Sequence, residues 1–129
     1  MASPGRLAPR AAGALLALGL LAGLAGDGLG AHGFLQRAEP REGSTVSTPP
    51  AQIKLWFGEK LEAAYSTVRV LDAAGRRVDR GDARLDPANR KLLTVSVPPL
   101  SAGTYTVMWR VLSVDTHVTQ GRFTFRIAP

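Results

Sequence analysis

Gly103-Thr104-Tyr105-Thr106-Val107-Met108-Trp109-Arg110-Val111 is the stretch whose reading decides the fold. In an extended chain Tyr105, Val107, Trp109 and Val111 all fall on one side. Period two with one apolar face marks a strand laid against a second layer. The Tyr two residues after a Gly at the strand start fits the tyrosine corner of Greek-key sandwiches, whose hydroxyl ties down a loop.

The same period recurs on both sides of this run. Ile53, Leu55 and Phe57 point one way, Lys54 and Trp56 the other. Thr67 to Leu71 places Val68 and Val70 inward and Arg69 outward before the stop Asp72-Ala73-Ala74-Gly75. Leu93, Val95 and Val97 mark a strand ended by Pro98-Pro99, and Phe123, Phe125 and Ile127 face inward in the last one. Phe34-Leu35-Gln36-Arg37 makes a first strand, closed by Glu39-Pro40 and a turn at Arg41-Glu42-Gly43-Ser44. Residues 76–91 are charged and carry Gly81 and Asp86-Pro87, which predicts a weak edge strand and loops, since edges tolerate charge. No helical stripe is present; Glu59-Lys60-Leu61-Glu62 makes one helical turn at most. Short strands separated by Pro and Gly predict an all-β domain. About seven strands in this length give a small Greek-key β-sandwich or barrel, immunoglobulin-like or cupredoxin-like.

The 129-residue chain has no cysteine, which excludes disulfides, thiolate zinc sites, iron–sulfur clusters and blue copper. Its net charge is +6, but the basic residues are scattered, with no run longer than Arg76-Arg77 or Arg90-Lys91. Nucleic-acid binding needs a clustered patch, so a solvated basic surface is the expectation. A core of this size leaves only about 5 kcal/mol of net stability, to which a bound metal adds by mass action.

Residues 1–31 have the order of a secretory signal. Arg6 and Arg10 open it, Ala11 to Gly26 is an uncharged run of Ala, Leu and Gly, and Asp27-Gly28-Leu29-Gly30-Ala31 is a Gly-rich exit. A permanent anchor is the alternative, but the apolar run falls short of the roughly 20 residues that span a bilayer. Cleavage after Ala31 leaves residues 32–129 as a soluble domain in the periplasm or elsewhere in the cell envelope.

That cut makes His32 the first residue, with a free α-amine beside its imidazole. The chain has two histidines, and the second, His117, lies in Ser113-Val114-Asp115-Thr116-His117 before the last strand. Asp115 and His117 are two apart, so an extended backbone points both side chains the same way. With His32 they offer an amine nitrogen, two imidazole nitrogens and a carboxylate oxygen. A tetragonal nitrogen and oxygen set suits Cu(II), and Zn(II) competes with tetrahedral geometry. The competing bland reading makes both histidines ordinary polar residues. Protons compete for such nitrogens, so affinity is expected to fall on acidification.

The sequence resembles the CopC/PcoC-type periplasmic copper-binding proteins, in Ala38-Glu39-Pro40-Arg41-Glu42-Gly43-Ser44, Ile53-Lys54-Leu55-Trp56-Phe57-Gly58-Glu59 and Ser66 to Val70. The resemblance is most specific from Gly103 to His117 and in Gly121 with Phe123-Thr124-Phe125. It implies Cu(II) held by His32, Asp115 and His117, with Glu59 in an outer shell, and delivery to a membrane copper importer of the CopD type. Some members carry a Met-rich segment for Cu(I); here residues 72–92 hold no Met, and Met108 sits on a strand, which argues against a thioether site. Val118 stands where the family has Pro, and Gly58 where Ser is common.

Three functions compete. The first is an exported binding protein that sequesters or hands on copper. The second is a copper monooxygenase built on an amino-terminal histidine brace, against which the hard Asp115 carboxylate favours Cu(II) over Cu(I). The third is a metal-free interaction module.

Overall fold

A computed structural model describes residues 34–129. The proposed leader (residues 1–31) and His32 lie outside the described residues. Eight strands form, in order β1 (Leu35–Glu39), β2 (Thr45–Val46), β3 (Gln52–Phe57), β4 (Thr67–Leu71), β5 (Arg84–Asp86), β6 (Asn89–Ser96), β7 (Gly103–Leu112) and β8 (Val118–Ile127). They make two four-stranded sheets, β1-β3-β6-β5 and β2-β8-β7-β4. The expected all-β sandwich is what the chain forms, and the alternating residues of β3, β4 and β7 fill its interior. Ile53, Leu55 and Phe57 from one sheet meet Val68, Val70, Val107, Val111 and Phe125 from the other, all nearly inaccessible to water. Burial of such side chains contributes about 1.5–3 kcal/mol each before the entropy of ordering them.

Several details depart from the sequence expectation. The eighth strand is β2, only two residues long, which runs parallel to Arg126 and Ile127 of β8. The single helical turn is a 3-10 turn at Ala63–Tyr65 and not at Glu59–Glu62. Residues 59–62 instead run beside the end of β7, with the Glu62 N–H donating to the Leu112 carbonyl at 2.8 Å. Strand β8 begins at Val118, well before its apolar triad, and pairs with β7 along its whole length.

The tyrosine corner forms. The buried Tyr105 hydroxyl donates to the Ser101 carbonyl at 2.7 Å and holds the β6–β7 connection against the sandwich. The charged stretch after β4 covers that strand's free edge. Asp79, whose side chain is wholly inaccessible, accepts from the Val70 N–H at 2.8 Å, and Val78 N–H donates to the Val70 carbonyl at 2.8 Å. Asp82 accepts from the Ser96 N–H at 2.8 Å in the opposite sheet, so this segment bridges both layers.

Candidate metal centre

One end of the sandwich gathers three parts of the chain that are far apart in sequence. The first is the tip of the β7–β8 hairpin. Leu112 pairs with Val118, and the Ser113 N–H donates to the His117 carbonyl at 2.9 Å. Val114, Asp115 and Thr116 therefore form a three-residue loop, and its last residue, Thr116, has φ 73°. A left-handed residue closing such a loop is a usual hairpin solution, and a β-branched one there is strained.

The loop corrects one sequence expectation. Asp115 and His117 do come together, with Asp115 Oδ1 3.3 Å from His117 Nδ1. They do so because the backbone turns back on itself, not because it is extended.

Ser113 organises the pair, a role the sequence reading missed. It is fully buried, its hydroxyl donates to Asp115 Oδ1, and its Oγ accepts from the His117 N–H at 3.2 Å. The Ser113 hydrogen bond holds the Asp115 carboxyl below the usual carboxylate range. Partial burial opposes this, while His117 adds to it through its charge and its hydrogen bonds. The available signal was a hydroxyl residue at a loop start, where such side chains bond nearby backbone.

The second part is the segment after β3. Leu61 bridges to Ser113, and the Val114 N–H donates to the Lys60 carbonyl at 2.9 Å. Arg90 fixes this segment from below by donating to the Leu61 carbonyl at 3.0 Å. Glu59 is exposed and precedes the contact with Val114. Among the described residues no group of three or more His, Asp or Glu side chains comes together to hold a metal, so Glu59 does not complete a set with Asp115 and His117.

The third part is the start of the described chain. The Phe34 carbonyl accepts from the Gly58 N–H at 3.1 Å, and Leu35 pairs with Phe57. Register shifts between Leu35 and Arg37, where Gln36 is the extra residue of a bulge. Bulges twist a strand and re-aim what precedes it. The ring of Phe34 sits 5.6 Å from that of Phe57, which in turn meets Trp109 edge-on at 5.2 Å. Phe34 is thereby anchored at the same end of the sandwich as Asp115 and His117.

Chemically, the described residues supply one carboxylate oxygen and one imidazole, both solvent-accessible and oriented by a buried hydroxyl. Two such donors fit a borderline divalent cation such as Cu(II) or Zn(II), which needs further ligands to fill its sphere. No helix among the described residues is long and apolar enough to cross a membrane.

Comparison with known proteins places these features in a family. The model of the CopC domain matches residues 35–128. Copper resistance protein C of Escherichia coli is 32% identical over 121 residues, covering 88% of this chain and 94% of that protein. The crystal structure of CopC from Methylosinus trichosporium OB3b superimposes with a TM-score of 0.70 at 38% identity, covering 74% of this chain and 93% of that one. PcoC, a methionine-rich copper resistance protein from Escherichia coli, gives a TM-score of 0.63 at 31% identity, with coverage of 73% and 96%. Since the family match spans nearly all the described residues, this chain belongs to the CopC family.

Proposed function

We propose that the chain is an exported copper-binding protein of copper homeostasis that takes up one Cu(II) at His32, Asp115 and His117. The observation that carries this reading is the convergence just described. Phe34, two residues after His32, is hydrogen-bonded to Gly58, and Lys60, two residues further on, is hydrogen-bonded to Val114 of the Asp115–His117 loop. The family's copper resistance proteins supply the metal; the donor chemistry agrees with it.

On this reading signal cleavage after Ala31 creates the amine that completes the ligand set. The ionised Asp115 carboxylate is a hard anionic donor that favours Cu(II) and disfavours cycling to Cu(I), so the site binds and releases metal and does not turn over oxygen. A thioether Cu(I) site has no counterpart here, as the chain holds only Met1 and Met108. The domain works outside the cytoplasm, and its acceptor is a membrane copper importer of the CopD type. Glu59, exposed beside the loop, accepts an outer hydrogen bond from a ligand or a water.

The test is copper titration of exported protein whose first residue is verified as His32 by intact mass, followed by EPR. One tight site with nitrogen hyperfine structure is expected. A single residue added before His32 converts the amine to an amide and should weaken binding far more than Glu59→Gln does. Equal effects of the two changes would remove the amine from the ligand set.

A further inference from the structure

Four arginines that lie singly in the sequence come together in the fold. Arg69 of β4, Arg110 of β7 and Arg122 and Arg126 of β8 are all exposed, and each alternates with inward-facing residues of its strand. They therefore point away from the core on one face of the β2-β8-β7-β4 sheet. The registers set their spacing. Met108 has Arg69 opposite it on one side and Arg122 on the other, and Arg110 is the next outward residue of the same strand. With strands about 4.8 Å apart, Arg69 and Arg122 lie roughly 10 Å from each other across Met108, and Arg110 is diagonal to both. Arg126 continues the row along β8, opposite Thr104 and Thr45. Scatter along the chain hides this grouping, because each strand contributes only one or two of its members.

The face carries no compensating charge. The strands of this sheet contain neither Asp nor Glu. Arg37, Arg76, Arg77 and Arg84, which lie elsewhere, each pair with a carboxylate at 2.6–3.1 Å. Among the described residues Arg69, Arg110, Arg122 and Arg126 have no such partner; Arg69 leans on the Met108 sulfur at 3.8 Å, a weak acceptor. Glu42, in the turn between β1 and β2, lines a cleft with Arg122 but does not pair with it. Like charges at this spacing lie within about one or two Debye lengths at physiological salt, so they repel one another and do not stabilise the fold. A counter-charge from outside the domain relieves that repulsion.

We propose that this sheet face docks on an anionic lipid bilayer, its arginines binding the headgroup phosphates. Guanidinium groups match phosphate oxygens with paired N–H donors, and basic groups near an anionic leaflet each add to binding. The composition of the face favours a membrane over a macromolecule in solution. Protein interfaces centre on aromatic anchors, and single-stranded nucleic acids stack on them. The exposed large apolar residues of the described chain are Tyr65, Val114 and Val118, and of these only Val118 belongs to this face, at its hairpin end. Between the arginines lie Thr104, Thr106, Gln120 and Thr124, which suit a hydrated headgroup layer. The β7–β8 hairpin is part of the same sheet, so docking lays its tip, with Asp115 and His117, alongside the membrane. A membrane-bound acceptor is then met by diffusion in two dimensions. This goes beyond the copper reading and does not depend on it.

The test is vesicle cosedimentation of the metal-free exported protein, its leader confirmed absent by intact mass. Vesicles of phosphatidylcholine mixed with phosphatidylglycerol are compared with phosphatidylcholine alone, at low and at physiological salt. One variant combines Arg69→Gln, Arg110→Gln and Arg122→Gln. A control of equal charge combines Lys54→Gln, Arg80→Gln and Lys91→Gln, all outside this sheet. Wild type should bind the anionic vesicles only, and less as salt rises. Each arginine near the surface is worth about fivefold in partition, so the face variant should lose on the order of a hundredfold and the control about fivefold or less. The Tm of the face variant should be unchanged or higher, which shows that the loss is not unfolding. Equal losses in the two variants overturn the role of this face and leave only net charge. Equal binding to both vesicle types, or to neither, overturns the proposal. Binding to duplex DNA or to polyglutamate without binding to anionic vesicles also overturns it, and gives the face to a soluble polyanion. All of these outcomes are read without copper, so none bears on whether Asp115 and His117 hold a metal.

Discussion

Asp79 holds a charge with its side chain wholly inaccessible, at the free edge of β4. Burial alone pushes its carboxyl up. The Arg77 guanidinium at 3.0 Å, the Val70 and Gly81 N–H groups and the Arg77 charge outweigh that, so the carboxyl sits below its ordinary value. A carboxyl depressed in the folded state contributes stability that is fully present above the unfolded value of roughly 3.9 and is lost as pH falls through the folded value. Thermal melts should therefore show the domain weakening below about pH 4, with the midpoint flat above it as far as Asp79 is concerned. Asp79→Asn should lower stability by about 2 kcal/mol at neutral pH and flatten that acid limb, since hydrogen bonds to a charged acceptor are lost. An unchanged acid limb in the variant would assign it to other carboxylates. Gly121 is a second case, governed by space and not by charge. A Cβ there would lie 2.7 Å from the indole of Trp109, in the middle of a pairing between rigid strands. Gly121→Ala should cost about 1–3 kcal/mol by overpacking and shift the fluorescence of Trp109, while Gly58→Ala meets only a flexible Gln36 amide and should be milder.

Elements differed in how clearly the sequence announced them, and the reason is local. Strands β3, β4 and β7 alternate cleanly because each has one face on the core and one in water, so period two is written in their residues. The first half of β8 carries Thr119 and Gly121 on its inward face, so the apolar signal begins only at Phe123 although the pairing begins at Val118. Strand β2 is two residues in a parallel pairing with β8, a contact set by tertiary geometry that no periodicity records. The hairpin tip is legible as a juxtaposed Asp and His but not as a turn, because Thr116 is a residue that sequence reasoning does not place at positive φ. The cut after Ala31 and the role of His32 rest on composition and lie outside the described residues, whereas the convergence of Phe34, Lys60 and Val114 needs the sheet registers. The tyrosine corner, by contrast, followed from Gly103 and Tyr105 and now has a measurable size. Tyr105→Phe removes one hydrogen bond to Ser101 and leaves the stacked ring pair with Phe125 intact, at 5.6 Å between centroids. Urea unfolding should register a loss of about 1 kcal/mol with the slope unchanged.

At the scale of the whole molecule, the proposed site and the fold's stability are coupled. With no disulfide and a core of a single sandwich, the domain relies on packing and on edge-covering loops such as 76–82. On the proposed reading, a cation held by His32, Asp115 and His117 would tie the chain ahead of β1 in one sheet to the β7–β8 hairpin of the other. A ligand that binds only the folded state stabilises it by RT ln(1 + [L]/Kd), about 2.7 kcal/mol when free metal is 100 times Kd. For a domain of this size that is a rise in Tm of roughly 10–20 °C. Copper should produce such a rise in mature protein beginning at His32, and a chelator should reverse it fully. Protein extended by one residue before His32 should melt at the same temperature as the mature form without copper, if the amine acts only as a ligand. With copper it should show only a small part of the rise, since Asp115 and His117 alone tie the hairpin to itself and close no gap between sheets. An equal rise in both forms would place the metal on the hairpin alone and leave the amino terminus out of the site.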